Sequence, residues 1–446
     1  MPGKSLFYFL IVFATYGLFL CGCRKDAPTM PGREFPYTNL LSLTAYDSTL
    51  NYIRLRLITS SRYPGPGKVM LFRIADDSTS EELLISEYPL ANKDTIIVDN
   101  NYGKGLLIGH EYKYRAMIID PVKAINYLAQ EVTARTLSLT SDDYIWTEYT
   151  FGEFQSQLHG VWAASENDVY AIGPIVSQGK EYGGMHFDGN KWEIIKDAGG
   201  YSAFGFSASD VWAAGGFLFH FDGSKWIRYG SKIVGDHVEI LDTVLFTHGS
   251  YLALWGTSGS NLYLGDEGGY IVHWDGRKAH LEDIRASVPI RDIWGISSSE
   301  IYVAAGDYIA GIGELYRFDG SSWKMIKKGV VFPGHGELTQ PFLTVWTYNG
   351  EEIITGGNYV ARGTGDKWNE SGIGFFVHKI RGDKPNNIFA SGSYGIMAHF
   401  NGNKWTMVNS GINGKVYLEG IFVKDDYIYV VGTDGYKAYI YHGKRR

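Results

Sequence analysis

Five strings in the sequence set a histidine or arginine two residues ahead of an Asp-Gly or Asn-Gly pair. They are GGMHFDGNKWEII (183–195), LFHFDGSKWIRY (218–229), IVHWDGRKAHLE (271–282), LYRFDGSSWKMI (315–326) and MAHFNGNKWTMV (397–408). Imidazole and carboxylate this close together are the raw material of general acid–base catalysis or of metal ligation. A metal site needs several ligands within about 2.0–2.2 Å of one ion. Equivalent positions of a repeat sit around a ring, and only those that line a central channel converge. His186, His220, His273 and His399 are therefore expected far apart, with Arg317 standing in the fourth copy. The strings read as punctuation of a repeated fold, with no metal site assigned.

Other chemistry-bearing residues fall where the copies differ most. These stretches are PIVSQGKEYGG (174–184), GSKIVGDHVEILDTVLFTHGS (230–250), GDYIAGIGE (306–314) and KGVVFPGHGELTQP (328–341). Two contain histidine beside carboxylates: Asp236, His237 and Glu239 in one, His335 and Glu337 in the other. Either could do acid–base work or hold a cation; solvated loop charge is the plainer reading. Tyr182, Tyr308 and Phe332 could stack on a sugar or grip a partner, or fold back on the sheets. Arg285, Arg291, Arg317, Arg362 and Arg381 occupy different repeat positions, so no arginine cluster follows from them. GPGK at 65–68 lacks phosphate-loop spacing, and no serine-hydrolase, metalloprotease or nucleotide-binding motif occurs. No catalytic residue and no cofactor is assigned.

The elements that carry these residues repeat. LHGVWAASENDVYAIG (158–173) returns as YSAFGFSASDVWAAGG (201–216), YLALWGTSGSNLYLG (251–265), IRDIWGISSSEIYVAAG (290–306) and PFLTVWTYNGEEIITGG (341–357). FFVHKIRGDKPNNIFASG (375–392) and YLEGIFVKDDYIYVVG (417–432) read as degraded copies. Each unit holds four short strand patterns, and four strands at this period predict a β-propeller of seven blades over residues 141–446. Asp-Gly marks the hairpin between third and fourth strands. The last copy lacks its fourth strand, and DYIWTEYTF (143–151) is expected to supply it and close the ring.

The repeats resemble the S-x-x-D-V-W-A-V-G and H-Y-D-G-x-x-W units of many bacterial secreted and lipoprotein propellers. They differ from the Asp-box of sialidase-like propellers, because glycine follows the aspartate directly and tryptophan comes one residue sooner. The resemblance implies the fold and carries no agreed activity.

Upstream, all twelve tryptophans being confined to 146–405 puts a boundary near residue 140. Alternating stretches at 51–60, 68–76, 95–100, 112–120 and 129–137 predict a two-sheet β-sandwich over residues 37–140. LLIGHEYKYRAMIID is similar to the tyrosine-corner strand of fibronectin type III domains, with Leu106 six residues before Tyr112 and Ile108 where proline is usual. The whole fold is expected to be all-β.

Residues 1–22 have the layout of a secretory signal, with Lys4 ahead of an apolar run from Leu6 to Leu20. Leu20-Cys21-Gly22-Cys23 resembles the lipobox of bacterial lipoproteins, and Cys23, preceded by Gly22, is the residue it marks for lipidation. Residues 23–36 then read as a lipid-anchored tether. The resemblance implies a cell-envelope protein, in an outer membrane where one exists. The two cysteines are both in this segment, which excludes disulfides and thiol chemistry from the folded body. A net charge of −7 gives no support for nucleic-acid binding. The expectation for function is a non-enzymatic protein that engages a protein or glycan through a propeller face. The alternative is a carbohydrate-active hydrolase or lyase on the same face.

Overall fold

The computed structural model describes residues 41–446 apart from 61–66, 75–81, 90–92, 121–124, 230, 235–236, 241–242, 246–248, 283, 330–340, 366, 371–372 and 409. Cys23, Asp236, Phe332, His335 and Glu337 lie outside the described residues. The chain is all-β and built of antiparallel sheets; among the described residues the one helical element is a 3-10 turn at Ser393–Gly395.

The N-terminal unit has seven strands: β1 (Leu41–Ser48), β2 (Ile53–Thr59), β3 (Lys68–Ile74), β4 (Glu82–Pro89), β5 (Lys93–Asp99), β6 (Glu111–Asp120) and β7 (Ile125–Arg135). They form two sheets, ordered β1-β2-β5 and β4-β3-β6-β7. β1 and β4 are additional to the strands expected from the sequence. Period-2 alternation buries Ile53, Leu55 and Leu57 of one sheet with Val69, Leu71, Tyr114 and Ala116 of the other in one core. The Tyr112 hydroxyl accepts the Leu107 N–H at 2.8 Å, and Leu106 is buried in the same core. This unit docks on the C-terminal sheets through polar contacts. The Tyr52 hydroxyl donates to Glu351 at 2.7 Å, Arg54 pairs with Glu351, and Asn386 donates to the Ser138 carbonyl at 2.6 Å.

Among the described residues between Tyr144 and Arg445 there are seven four-stranded sheets. The first six each take four strands in chain order, beginning at Gly160–Ser165, Ser202–Ser207, Tyr251–Ser258, Ile290–Ser297, Thr344–Trp346 and Val377–Lys384. The seventh takes three, from Tyr417–Lys424 to Ala438–Arg445, and its fourth strand is β8 (Tyr144–Phe151) from upstream. β8 pairs along its length, from Ala438↔Phe151 to Arg445↔Tyr144. The first strand of each sheet packs on the first strand of the next, and that of the seventh packs on that of the first. The first strands thus make a closed cycle.

The repeated strings have a physical explanation. In each sheet that carries one, the histidine of the third strand lies flat on an aromatic ring of the second and bonds the polar residue two before that ring. His186 stacks on Tyr170 at 4.3 Å and bonds Asp168 at 2.8 Å; His220 stacks on Trp212 at 4.1 Å and bonds Asp210 at 3.0 Å. His273 does the same with Tyr263 and Asn261, and His399 with Phe389 and Asn387. Arg317 lies over Tyr302 and bonds Glu300. His186, His220 and His273 therefore serve their own sheets, and His399 in addition ties in the upstream segment through Asp142 at 2.6 Å. The Asp of Asp-Gly accepts two backbone N–H bonds, as Asp222 does from Ser224 and Lys225 at 2.9 and 3.0 Å. Those bonds and the Ser224 hydroxyl hold its carboxyl down to about 2. Gly223 follows at φ 92°, a conformation open to glycine.

Tryptophans of the first strands meet glycines of the next sheet. A Cβ on Gly295 would sit 2.4 Å from the ring of Trp255, so the ring or the strand must shift to admit it. Gly295→Ala is accordingly expected to cost about 1–3 kcal/mol of stability. Urea unfolding would check this, and an unchanged midpoint would refute the close-contact argument.

Candidate functional site

The cycle of first strands brings one end of all seven strands together, and the residues there enclose a cavity of about 560 Å³. His159, Tyr201, Leu252, Arg291, Leu343, His378 and Glu419 each come from the start of a different first strand or the residue before it. Beneath this mouth a second cavity of about 250 Å³ runs between the strands. Its walls include Trp162, Phe204, Trp255, Trp294 and Phe422, and it shares His159, Tyr201 and Lys379 with the mouth.

The rim is aromatic. Tyr308 is 58% exposed, Tyr394 65% and Tyr417 42%. Their rings run as a chain: Tyr308 to Phe376 at 6.2 Å, Phe376 to His378 at 5.3 Å, His378 to Tyr417 at 6.4 Å and Tyr417 to Tyr394 at 6.1 Å. Across the mouth His159 meets Tyr201 at 5.0 Å. Tyr308 is presented by a turn in which Asp307 accepts the N–H groups of Ile309 and Ala310 at 2.8 and 3.0 Å. Tyr394 sits at φ 62°, ψ 29°, an uncommon conformation for a residue with a Cβ.

The floor is ionic. Asp292 is 1% exposed. Arg381 grips its carboxylate with two nitrogens at 2.7 and 2.8 Å, and Lys379 Nζ reaches it at 3.0 Å. The Thr344 hydroxyl and the backbone N–H groups of Ile293 and Val345 donate to it at 2.7, 3.0 and 3.0 Å. Burial alone would raise the Asp292 carboxyl, but Arg381 and Lys379 outweigh it and hold it well below the usual carboxylate range. Burial pulls Lys379 below the ordinary lysine value, against the attraction of Asp292. Burial likewise pushes Glu419 up, and His378, with smaller contributions from His159 and Lys379, brings it below the ordinary glutamate value. Burial pulls His159 below the ordinary histidine value, against the attraction of Glu419. Glu267, the other carboxylate of the mouth, accepts the Ser250 N–H at 3.1 Å.

His378 connects these groups. Its Nε2 lies 3.1 Å from Ser393 Oγ, and its Nδ1 lies 3.4 Å from Glu419 Oε1. All three side chains line the mouth.

Of the residues singled out from sequence, Tyr308 lies at the mouth. Tyr182 does not: it packs on the apolar core of the first sheet and lines a neighbouring surface cavity of about 590 Å³ that shares Tyr201 with the mouth. His237 and Glu239 lie on the middle strand, His237–Ile240, of a small three-stranded sheet inserted after the second four-stranded one. Arg291 and Arg381 belong to the two cavities, whereas Arg317 and Arg362 pair with Glu300 and Glu352 elsewhere. Sequence reasoning missed His378, Lys379, Ser393 and Glu419. The available signal was the set of charges interrupting inner-strand patterns in the two copies that read as degraded, V-H-K-I-R and L-E-G-I-F. Among the described residues no group of three or more His, Cys, Asp or Glu could hold a metal ion, and no helix is long and apolar enough to cross a membrane.

No protein-family model matches the chain, and no curated protein matches it. Among solved structures it is similar to the computationally designed Ika8 protein. The identity is 13% and the TM-score 0.39, over 66% of this chain and 98% of that one. That likeness is too distant to carry an argument about fold or function.

Proposed function

We propose that this chain is a lipid-anchored protein of the bacterial cell envelope that binds the end of a glycan. Cys23 carries the lipid, residues 23–36 are the tether, and residues 37–140 form a fibronectin type III-like sandwich. Residues 141–446 form a seven-bladed β-propeller closed by β8, and the glycan enters the mouth of its channel. The blade reading is supported by seven four-stranded sheets whose first strands neighbour one another in a cycle. The Tyr112-to-Leu107 bond supports the sandwich reading.

The observation that carries the ligand class is an arc of exposed Tyr308, Tyr417 and Tyr394 with half-buried Phe376, beside the polar side chains of the mouth, Glu267, Arg291, His378, Ser393 and Glu419. Sugars present C–H faces that stack on aromatic rings and hydroxyls that need donors and acceptors. The mouth volume lies within the range of about 300–1,000 Å³ common for small-molecule sites. A protein partner would instead ask for a broad surface of about 800 Å² per side.

A glycan array with the Cys23→Ser protein tests the reading. Retained glycans should bind Tyr308→Ala and Tyr417→Ala about tenfold more weakly each, the equivalent of about 1.4 kcal/mol for a lost stacking contact. Folded protein that retains no glycan, or binding indifferent to both substitutions, would remove the mouth from consideration.

A further inference from the structure

We propose that Ser393, His378 and Glu419 form a catalytic triad that hydrolyses acyl esters at the channel mouth. The inference rests on ligand entry at that mouth and adds a reaction to it. A triad is recognised by geometry and role, since the same constellation arises in unrelated chain orders. Here the three residues come from three elements: the turn after strand Asn387–Gly392, the strand Val377–Lys384 and the strand Tyr417–Lys424. A carboxylate only accepts, so in the triad the imidazole nitrogen facing Glu419 carries the proton. Nε2 is then left as the acceptor for the Ser393 hydroxyl, 3.1 Å away. The imidazole ring is fixed between Phe376, edge-on at 5.3 Å, and Tyr417, stacked at 6.4 Å. Nδ1 is buried and makes no hydrogen bond among the described residues; the 3.4 Å gap to Glu419 is of the kind that closes when substrate binds.

The surroundings suit an ester. The lower cavity, walled by Trp162, Phe204, Trp255, Trp294 and Phe422, offers about 250 Å³ of mainly apolar space to a short acyl chain. The aromatic rim offers a platform to the alcohol portion, which a sugar would supply. Ser393 Oγ attacks the carbonyl carbon while its proton passes to His378 Nε2. Lys379, which lines both cavities and is held by Asp292, is the cation assigned to the charge that develops on the carbonyl oxygen. The ester C–O bond breaks, and the leaving oxygen takes the proton from His378 and departs as the alcohol. Water then attacks the acyl-serine, its proton passing to His378 and on to Ser393 Oγ as the acid is released. Ser393 and His378 are the catalytic residues; Glu419 is a positioning residue.

The test uses the full chain solubilised in detergent, a fluorophosphonate probe, and p-nitrophenyl acetate and butyrate. One probe should attach to Ser393, identified by peptide mass, and Ser393→Ala should take none. His378→Gln should slow labelling about 100-fold or more. Glu419→Gln should lower kcat about tenfold or more with KM unchanged, and Glu419→Asp should recover much of that loss. No label on Ser393 in folded protein, or ester turnover by Ser393→Ala at the parent rate, overturns the triad. Mapping the label on the parent protein decides the matter even if a variant misfolds. The probe needs no sugar, so labelling without glycan binding defeats the binding reading alone, and glycan binding without labelling defeats the triad alone.

Discussion

Asp292→Asn is expected to lower stability by about 3–5 kcal/mol, the cost of removing one partner from a buried ionic cluster. The six donors that converge on this carboxylate belong to three successive sheets. Ile293 stands beside it, Thr344 and Val345 lie in the next sheet, and Lys379 and Arg381 in the one after. An amide there would turn two of its own hydrogens toward donors and leave two cations without a counter-charge. The loss should register as a lower urea midpoint with an unchanged slope. Combining it with Arg381→Met should cost less than the sum of the two by about 0.5–3 kcal/mol, because both act on one network. Strict additivity, or a single-variant loss below about 1 kcal/mol, would show that the cluster is not what ties these sheets together.

The same carboxylate contributes to the acid limb of stability, with Asp222, Asp275 and Asp319 of the turns. Its folded value is depressed below the unfolded one of about 3.9, so the unfolded chain binds more protons in between. Its contribution is therefore complete above about pH 4 and fades as pH falls through the lower folded value. His159, His273, His399 and His442 are all pulled down by burial. By the same sign their contribution is complete above about pH 6.5 and declines as acid forces protons onto them. Stability measured against pH should thus fall gently below pH 6.5 and more steeply below pH 4. In Asp292→Asn the second limb should shrink and the first persist.

What the sequence made legible depends on which residues repeat. The H-x-D-G-x-x-W strings recur because a histidine, a stacked ring and an Asp-Gly turn are needed in each sheet, and local needs repeat with the unit. The site has the opposite character. Asp292, Lys379, Arg381 and Glu419 are each unique within their repeat, and they meet only because the first strands close into a cycle. A single copy shows such a residue as an imperfection; the chemistry appears when inner positions are compared for what each adds. Tyr308 was legible as an aromatic in an insertion, yet so was Tyr182, and only packing separates them. β4 escaped because ELLISEYP carries little strict alternation; β1 does alternate, in LSLTA, so its signal was present.

A protein beginning at residue 152 is expected to be less stable than one beginning at residue 141 by at least about 5 kcal/mol, and to associate through its exposed edge. The difference between the two is β8. Without it the strand Ala438–Arg445 presents a row of unpaired backbone groups, which is a template for another chain. Four aromatic residues also leave their sites. Tyr144 is buried with Phe389, Met397, Leu418 and Tyr441, with Trp146 packed against the same cluster, and Tyr149 and Phe151 lie 5.7 and 5.8 Å from Trp192 of the first sheet. Full burial of such a side chain is worth about 1.5–3 kcal/mol; Tyr144 is buried and Trp146, Tyr149 and Phe151 are half-buried, so their loss adds to that of the paired edge. Gly443 shows how closely β8 fits, since a Cβ there would meet the ring of Trp146 at 2.7 Å. Because the strand is held by pairing and packing, a peptide of residues 141–151 added to the shorter protein should restore the unfolding transition, and a scrambled peptide should not. Equal melting temperatures for the two truncations would mean that the other three strands of the seventh sheet suffice, and that β8 caps an already stable edge.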